Sequence, residues 1–330
     1  MHKVPIPRAG GLAIFGGFLV SILLFGDRSG QMRAILLGAL LLVVLGLIDD
    51  VVALDAKIKF LGQIVATLIP VLNGVVIRGF TNPFSHNGFL SLGLFAVPVT
   101  VIWIVGITNA VNLIDGLDGL ACGVSAIATV TMFSIAMIFS ENQIALTMAA
   151  LAGACIGFLP YNMNPAKIFM GDTGAMFLGY LLAVTSVQGL FKFYAVISFA
   201  VPFIVLGLPI FDTAFAIVRR VAKGQSPLQA DRGHMHHRLI DLGFDQKQSV
   251  AILYAFSAVL GLTAVILSKT NETKLIILAL ALLICFFLGV MLMGVENRHQ
   301  KKEEEIIAEL SAESQEEAAP EQAEKENKDQ

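Results

Sequence analysis

The chain has 330 residues, of which 56% are hydrophobic and 14% are charged, with a formal net charge of −3 and a mean hydropathy of +0.78. A soluble protein of ordinary composition carries about 25% charged residues, so these values exclude a soluble enzyme held by one membrane anchor. The three cysteines, Cys122, Cys155 and Cys285, lie in apolar segments without CxxC spacing. They predict neither a disulfide nor a cysteine metal site.

Ten apolar segments are long enough to cross a bilayer as helices. They are continuous and do not alternate with polar residues, which is typical of helices and not of barrel strands. We therefore predict an all-α polytopic membrane protein with about ten transmembrane helices in residues 1–294, followed by a charged, mostly disordered tail over residues 295–330. The segments are 9–26, 34–52, 60–77, 92–110, 119–139, 143–160, 174–190, 193–218, 249–268 and 274–294.

The distribution of lysine and arginine predicts the orientation in the membrane. Ten spans place both chain ends on one side, and the positive-inside rule makes the more basic side cytoplasmic. One side carries Lys3, Arg8, Lys57, Lys59, Lys167, Arg219, Arg220, Lys223, Arg232, Arg238, Lys247, Arg298, Lys301 and Lys302. The other carries Arg28, Arg33, Arg78, Lys192, Lys269 and Lys274. The first side is therefore predicted to face the cytoplasm, and almost every unusual polar residue lies on it.

The first polar cluster in chain order is "LIDDVVALDAKIK", where Asp49 and Asp50 end the second span. Carboxylates at a helix C-terminus oppose the helix dipole, and adjacent carboxylates raise the pKa of each other. A bound cation, or Lys57 and Lys59, would relieve this repulsion. An ordinary charged membrane boundary is the alternative interpretation.

The second cluster, "NAVNLIDGLDGL", spaces Asn109, Asn112, Asp115 and Asp118 three residues apart within a very apolar region. Each three-residue step turns about 300° around an α-helix, so the four cannot share one helical face. We predict that the helix breaks, with the two asparagines on the incoming helix and the two aspartates in the following turn. Capping of two helices is the structural alternative, but four such residues together at a membrane surface favour a functional site.

Two later motifs carry further candidates. In "NPAKIFMGDTGA", Asp172 starts a helix as an N-cap, a metal ligand or both, and Phe169 belongs to the core or stacks on a base. Asp212 in "LPIFDT" lies inside an apolar segment and is a functional suspect or a structural hydrogen-bonding group. Its role stays open.

The segment "ADRGHMHHRL" concentrates charged and imidazole side chains in eight residues. Three histidines suit zinc, but the other clusters offer oxygen ligands, which favour magnesium. Arginine and histidine together suit an anionic phosphate, and a hydrated basic loop is the alternative. The residues are Asp231, Arg232, His234, His236, His237 and Arg238.

Taken in order, six motifs resemble those of the polyprenyl-phosphate N-acetylhexosamine-1-phosphate transferases, the glycosyltransferase 4 family. They are "HKVPIPRAGGL", "LIDDVVALDAKIK", "NAVNLIDGLDGL", "NPAKIFMGDTGA", "LPIFDT" and "DRGHMHHRLIDLGF", and the resemblance covers residues 2 to about 250. The form "DRGHMHHRL" resembles the bacterial N-acetylglucosamine branch, whereas relatives that use a pentapeptide-bearing sugar have a different histidine motif. Family members usually have another helix before the first motif, and we expect that helix to be missing from this sequence.

The resemblance implies a reaction at the cytoplasmic membrane, on its cytoplasmic face. N-acetylglucosamine 1-phosphate would pass from UDP-N-acetylglucosamine to undecaprenyl phosphate with Mg²⁺ or Mn²⁺, releasing UMP and initiating a cell-envelope glycan. Another UDP-amino sugar, or UDP-N-acetylmuramoyl-pentapeptide, is the alternative donor. The expected partners are the UDP-sugar, the polyprenyl-phosphate lipid and the membrane, without nucleic acid and with a homodimer left open. A transporter or lipid flippase is a remote alternative, because we find no inverted repeat with midplane charges.

The resemblance also implies roles for individual residues. Asn112 and Asp172 would hold the metal, Phe169 would stack on uracil, and Asp49 and Asp50 would lie where the lipid phosphate enters. The catalytic set implied is Asp49, Asp50, Asp115, Asp118 and His234, and the substrate-binding set is Phe169, Lys59, Asn109, Arg232, His236 and His237. We favour direct attack by the lipid phosphate, with a two-step route through an aspartyl intermediate as the alternative.

Overall fold

The computed structural model describes residues 6–81, 89–189, 200–222, Gly224 and 233–269. The chain divides into two compact units, Met1–Leu282 and Leu283–Gln330, and every described residue belongs to the first. The predicted span 274–294, the charged tail and Arg232 lie outside the described residues.

Eleven α-helices form most of the described part of the chain. They are α1 (Gly10–Phe25), α2 (Gly30–Val52), α3 (Ala56–Leu72), α4 (Ala96–Leu113), α5 (Leu120–Ile138), α6 (Asn142–Asn162), α7 (Gly171–Gln188), α8 (Ala200–Val205), α9 (Gly207–Ala222), α10 (Met235–Asp241) and α11 (Gln246–Lys269). A single 3₁₀ turn, Gly93–Phe95, precedes α4.

The helical architecture is as predicted, and a small antiparallel hairpin that the sequence did not predict is added to it. Strand β1 (Gly79–Thr81) pairs with β2 (Phe89–Ser91), with Gly79 opposite Ser91 and Thr81 opposite Phe89. Each strand has only three residues, which is too short for an alternating pattern to stand out from the surrounding Asn, Pro and Gly residues.

Within the described residues, five helical segments are long and apolar enough to cross a membrane, and α1 is a shorter apolar helix. Together with the apolar composition, they make the chain a multi-pass membrane protein; the total of about ten spans stays a prediction. The five are Gly30–Val52, Gly93–Leu113, Leu120–Ile138, Asn142–Asn162 and Gln246–Ser268.

The predicted span 193–218 is not one continuous helix in its described part. Helix α8 ends at Val205 and α9 begins at Gly207. Pro209 has no backbone N–H to donate to the carbonyl of Val205, and its ring crowds that carbonyl. The interruption between α8 and α9 lies where this hydrogen bond would form. That residues 193–218 cross the membrane as one span stays a prediction.

Helix α7 is the centre of the described bundle. Its residues 173–187 are all buried, and α1, α2, α4 and α5 pack around it. Two close backbone approaches need glycine. A Cβ on Gly11 would lie 2.3 Å from the backbone nitrogen of Gly174, and one on Gly46 would lie 2.5 Å from Cα of Thr173. Such small residues let membrane helices approach closely.

The ends of these helices meet at one end of the bundle. The backbone N–H groups of Gly10 and Gly11, which start α1, donate to the carbonyls of Phe169 and Met170, just before α7. The N–H of Phe169 donates in return to the carbonyl of Pro7. The carboxylate of Asp50, near the end of α2, reaches the first turn of α7. This end of the bundle therefore collects polar groups from segments distant in sequence.

Candidate active site

A pocket of about 480 Å³ opens at this end of the bundle. Six of the residues predicted from sequence line it, namely Asp50, Asn112, Asp115, Asp118, Phe169 and Asp172. The other lining residues are Arg8, Gly116, Leu117, Asn162, Met170, Gly171 and Gln246.

Asp50 accepts hydrogen bonds from the start of α7. Its Oδ1 accepts from the backbone N–H of Asp172 at 2.9 Å, and its Oδ2 accepts from the N–H and the hydroxyl of Thr173 at 3.1 and 2.8 Å. Gly171 has φ +70°, and a Cβ there would lie 2.5 Å from Oδ2 of Asp50. A carboxylate at a helix N-terminus satisfies unpaired N–H groups and complements the helix dipole.

This geometry corrects the interpretation of Asp172 as an N-cap. Asp172 lies in the first turn of α7, and the residue at the cap position, Met170, makes no side-chain capping bond. Asp50 from α2 satisfies those N–H groups instead. The Asp172 side chain, which is half-buried, is therefore left for other contacts.

Lys59 joins two of the carboxylates. Its Nζ lies 2.7 Å from Oδ2 of Asp49 and 2.5 Å from Oδ1 of Asp172. Oδ1 of Asp49 accepts from the N–H of Leu54 at 2.7 Å. Asp49 and Lys59 thus stand beside the pocket and do not line it. The repulsion predicted between Asp49 and Asp50 is relieved in two ways. Lys59 pairs with Asp49, and the N–H groups at the start of α7 donate to Asp50.

The break predicted within "NAVNLIDGLDGL" is confirmed. Helix α4 ends at Leu113 and α5 begins at Leu120. Asn112 and Asp115 line the pocket. Burial, followed by the nearby charges of Asp172 and Asp50, raises the pKa of the Asp115 carboxyl to about 7.

Asp118, in the same turn, is buried and holds the loop before α7. Its Oδ2 accepts from Nδ2 of Asn164 at 2.9 Å and from the N–H of Ala166 at 3.0 Å. Nδ2 of Asn164 also donates to Oε1 of Gln246 at 2.7 Å. Asp118 therefore shapes the pocket through the loop that it anchors.

Asn109 lies outside the pocket, although it precedes Asn112 by only three residues. Its Nδ2 donates to Oε1 of Gln63 at 2.6 Å and to the carbonyl of Val105 at 2.8 Å, and its Oδ1 accepts from Nε2 of Gln63 at 3.3 Å. This amide pair joins α4 to α3. Unlike Phe169, which is also predicted to bind substrate, Asn109 does not line the pocket.

The histidines form a separate cluster beside the pocket. Nδ1 of His234 lies 2.7 Å from Oδ2 of Asp212. The rings of His234 and His236 stack with centroids 5.8 Å apart, and those of His236 and His237 are 4.2 Å apart. None of the three lines the pocket. Burial, and then the charge of His237, lowers the pKa of His236 to about 4.

The donors around the pocket suit a magnesium ion. Within the described ranges, no three His, Cys, Asp or Glu residues lie close enough to form a complete metal centre. Mg²⁺ does not need one, because it usually binds one or two carboxylates together with waters and substrate phosphates. Asn112, Asp115 and Asp172 offer such oxygen atoms in one pocket.

Sequence reasoning missed the three lining residues that have polar side chains and lie outside the predicted set, Arg8, Asn162 and Gln246. Arg8 entered only the charge count, although its motif contributed to the resemblance. An arginine directed to a pocket rich in carboxylates is a signal for a phosphate, because its guanidinium pairs well with phosphate oxygens. Nothing in the sequence distinguishes Asn162 or Gln246 from other polar residues at helix ends.

Comparison with known proteins identifies the family. The model of glycosyl transferase family 4 matches residues 32–190. The chain is 40% identical over 302 residues to a probable undecaprenyl-phosphate N-acetylglucosaminyl 1-phosphate transferase of Bacillus subtilis (strain 168), covering 91% of this chain and 84% of that protein.

Two further relatives differ in the substrate that they are named for. A decaprenyl-phosphate N-acetylglucosaminephosphotransferase of Mycolicibacterium smegmatis is 34% identical, covering 84% of this chain and 76% of that protein. A phospho-N-acetylmuramoyl-pentapeptide-transferase of Listeria monocytogenes is 38% identical over a shorter region, 57% of this chain and 63% of that protein. The chain therefore belongs to glycosyl transferase family 4, as the six motifs predict.

Proposed function

We propose that this protein transfers N-acetylglucosamine 1-phosphate from UDP-N-acetylglucosamine to undecaprenyl phosphate, releases UMP and so initiates a cell-envelope glycan. The observation that carries the proposal is the pocket in which Asn112, Asp115 and Asp172 meet Arg8 and Phe169. A relative that is 40% identical over 91% of the chain is named for N-acetylglucosamine, whereas pentapeptide relatives are 38% identical over 57% of the chain and 32% identical over 78% of it. This difference favours the simpler sugar.

The charges of the pocket indicate how a diphosphate would be held. Four carboxylates line the pocket, and Arg8 stands among them. Because a diphosphate is also anionic, it needs a further cation between itself and the carboxylates. Mg²⁺ held by Asn112 and Asp172 would neutralise phosphoryl oxygens and the charge that develops in the transition state.

The protein's own residues would bind and orient the two substrates. Phe169 offers a half-buried ring for stacking on uracil, and Arg8 offers a guanidinium to a phosphate oxygen. An oxygen of the lipid phosphate forms a bond to the phosphorus that carries the sugar. The bond from that phosphorus to the bridging oxygen breaks, and UMP leaves with the electron pair.

Direct attack needs no carboxylate base. A phosphate monoester already carries a charge of about −1.5 to −2 at pH 7, so its oxygen is a nucleophile without further deprotonation. Asp50 uses both carboxylate oxygens as acceptors for α7. Asp49 uses its oxygens for Leu54 and Lys59. These contacts support a positioning role for the pair in place of a covalent aspartyl intermediate.

The proposed orientation puts the pocket at the cytoplasmic face of the cytoplasmic membrane. Gly233 is unsuitable for a labelling cysteine, because a Cβ there would overlap the guanidinium of Arg219. Lys247→Cys and Arg28→Cys occupy exposed positions on opposite predicted sides. An impermeant maleimide added to intact cells should label only Arg28→Cys. Labelling of Lys247→Cys from outside would overturn the orientation.

The experiment that tests the function is a transfer assay with membranes that contain this protein. Labelled UDP-N-acetylglucosamine, another UDP-amino sugar and UDP-N-acetylmuramoyl-pentapeptide are each offered with undecaprenyl or decaprenyl phosphate, with membranes carrying Asp172→Asn as control. We expect a lipid-linked product and UMP from UDP-N-acetylglucosamine. Product from the pentapeptide donor alone would refute the sugar assignment. Light scattering of the detergent-solubilised protein tests the homodimer, which stays part of the proposal.

A further inference from the structure

Asp212 is a buried carboxylate that the proposed chemistry does not use. It lies on α9 with 3% of its surface exposed. Oδ2 is 2.7 Å from Nδ1 of His234, and Oδ1 accepts from the backbone N–H of Met235 at 2.6 Å. A buried carboxylate is costly unless it is hydrogen-bonded, and here both oxygens have partners.

These bonds attach the start of α10 to α9. Helix α10 has seven residues, and a helix of this length is not stable by its own hydrogen bonds. Its position therefore depends on contacts with the rest of the protein. A Cβ on Gly233 would lie 2.1 Å from the guanidinium of Arg219, and Nε of Arg238 donates to the carbonyl of Gly233 at 3.0 Å. Asp212 and Arg219 thus contact the same short stretch of chain from one helix.

The attached segment contacts the wall of the pocket. The His236 ring stacks on the ring of His234 with an interplanar angle of 6°. Its Nε2 lies so near Gly116 that a Cβ there would be 2.2 Å away. Gly116 lines the pocket between Leu117 and Asp115. A continuous set of contacts therefore runs from Asp212 through His234 and His236 to the pocket.

We propose that Asp212 is a positioning residue for the transfer reaction. It docks the histidine segment, residues 233–241, on α9 and thereby holds His236 against the turn that carries Asp115 and Gly116. Asp212 itself touches no substrate. The inference rests on the proposed function only for the identity of the nucleotide, because the docking is a property of the protein alone.

The first test measures docking without any substrate. Met235 is 7% exposed, so a cysteine at this position is protected while the segment is docked. The detergent-solubilised full chain carries Met235→Cys and Cys285→Ala; the remaining native cysteines, Cys122 and Cys155, are 0% exposed. Asp212→Ala should increase the rate of maleimide modification at position 235 at least about tenfold, by analogy with the lower end of the loss that follows removal of a group orienting a metal-bound histidine.

The second test separates positioning from general loss of structure. UMP binding is measured by calorimetry with Mg²⁺, and the KM for each substrate is measured in the transfer assay. Asp212→Ala should weaken UMP binding by about 10- to 100-fold and raise the KM for the nucleotide sugar, with the KM for undecaprenyl phosphate unchanged. The exposed Asp241→Ala on the same segment is the matched control and should leave both values unchanged.

Asp212→Asn decides whether position or charge matters. Its oxygen can still accept from the N–H of Met235, and its NH₂ can face His234 in the other tautomer. We expect docking and UMP affinity close to wild type. Unaltered modification at position 235 in Asp212→Ala would overturn the proposal. So would a docked Asp212→Asn protein that loses UMP affinity as much as Asp212→Ala. If docking behaves as expected while wild type transfers no N-acetylglucosamine 1-phosphate, the docking inference stands and the sugar assignment falls.

Discussion

Replacing Asp50 with asparagine tests whether this aspartate serves α7 or the reacting atoms. The carboxylate accepts from the N–H of Asp172 through Oδ1 and from the N–H and hydroxyl of Thr173 through Oδ2. In Asp50→Asn, either orientation of the amide turns an NH₂ group toward a backbone N–H. That N–H loses its acceptor, and the start of α7 loses a negative charge.

The magnitude follows from these two losses. An unsatisfied buried donor costs about 1–3 kcal/mol, and a carboxylate at a helix N-terminus contributes about 0.3–1 kcal/mol. We expect Asp50→Asn to lower the free energy of unfolding by about 1–4 kcal/mol. Thr173→Val removes one hydrogen bond to the same carboxylate but keeps the charge, so it should cost less, about 1 kcal/mol. Because Asp172 lies in the first turn, Asp50→Asn should also weaken Mg²⁺-dependent binding of UMP.

The assay combines thermal unfolding of the detergent-purified protein with turnover at rising Mg²⁺ concentration. Asp55→Asn is a matched control, because Asp55 caps α3 at an exposed position by accepting from the N–H of Lys57. Asparagine caps as well as aspartate there, so stability and turnover should stay unchanged. An Asp50→Asn protein that unfolds like wild type but has no turnover at any Mg²⁺ concentration would refute the capping argument and place Asp50 in the chemistry.

Three further predictions concern the pocket and its histidine neighbour. Phe169→Ala should weaken UMP binding by about 1–3 kcal/mol through loss of a stacking face, with the KM for undecaprenyl phosphate unchanged; normal UMP affinity in calorimetry would remove Phe169 from the site. Asp172→Asn removes one of the two carboxylate partners of Lys59, so it should lower the thermal stability slightly while the fold is kept, because Asp50 caps α7 and Asp49 still pairs with Lys59. It should need much more Mg²⁺ for turnover, and Asn112→Ala should share that requirement; full turnover at low Mg²⁺ would contradict the metal assignment. The pKa of His236 is lowered to about 4, so the unfolded chain binds the proton more readily than the folded protein, and the stability falls as the pH drops from about 7 toward 4. His236→Gln should reduce the dependence of the melting temperature on pH over this range, measured without substrate. An unchanged pH dependence in this variant would count against the lowered pKa.

Most of the helices could be predicted because a long apolar segment in a membrane protein has few alternatives to a helix. The interruption at Leu206 depends on Pro209, and a proline inside an apolar segment is also compatible with a kinked continuous helix. The hairpin was missed because its three-residue strands carry too little pattern. Local chemistry therefore predicted where helices occur better than how they are interrupted.

Within the site, the residues that form it could be predicted from the sequence more reliably than the contacts between their side chains. Asp50 and Asp172 are 122 residues apart, and Asp212 and His234 are 22 residues apart. These contacts depend on how the helices pack, which residue spacing does not contain. Asn109 shows the same limit, because it faces Gln63 of α3 and not the pocket. Asn109 and Asn112 lie on the same helix, and their roles differ only because Asn109 contacts the neighbouring α3 while Asn112 lines the pocket.

The acids of the site divide according to what stabilises them. Lys59 and the N–H of Leu54 stabilise Asp49, and the loop before α7 stabilises Asp118. Asp115 has no side-chain hydrogen bond within the described part of the chain, and it stands near the charges of Asp172 and Asp50. A carboxylate in that environment is the one that gains most from a nearby cation. The repulsion left around Asp115 is therefore the physical reason to expect that metal and diphosphate bind together in this pocket, because each offsets the charge of the other.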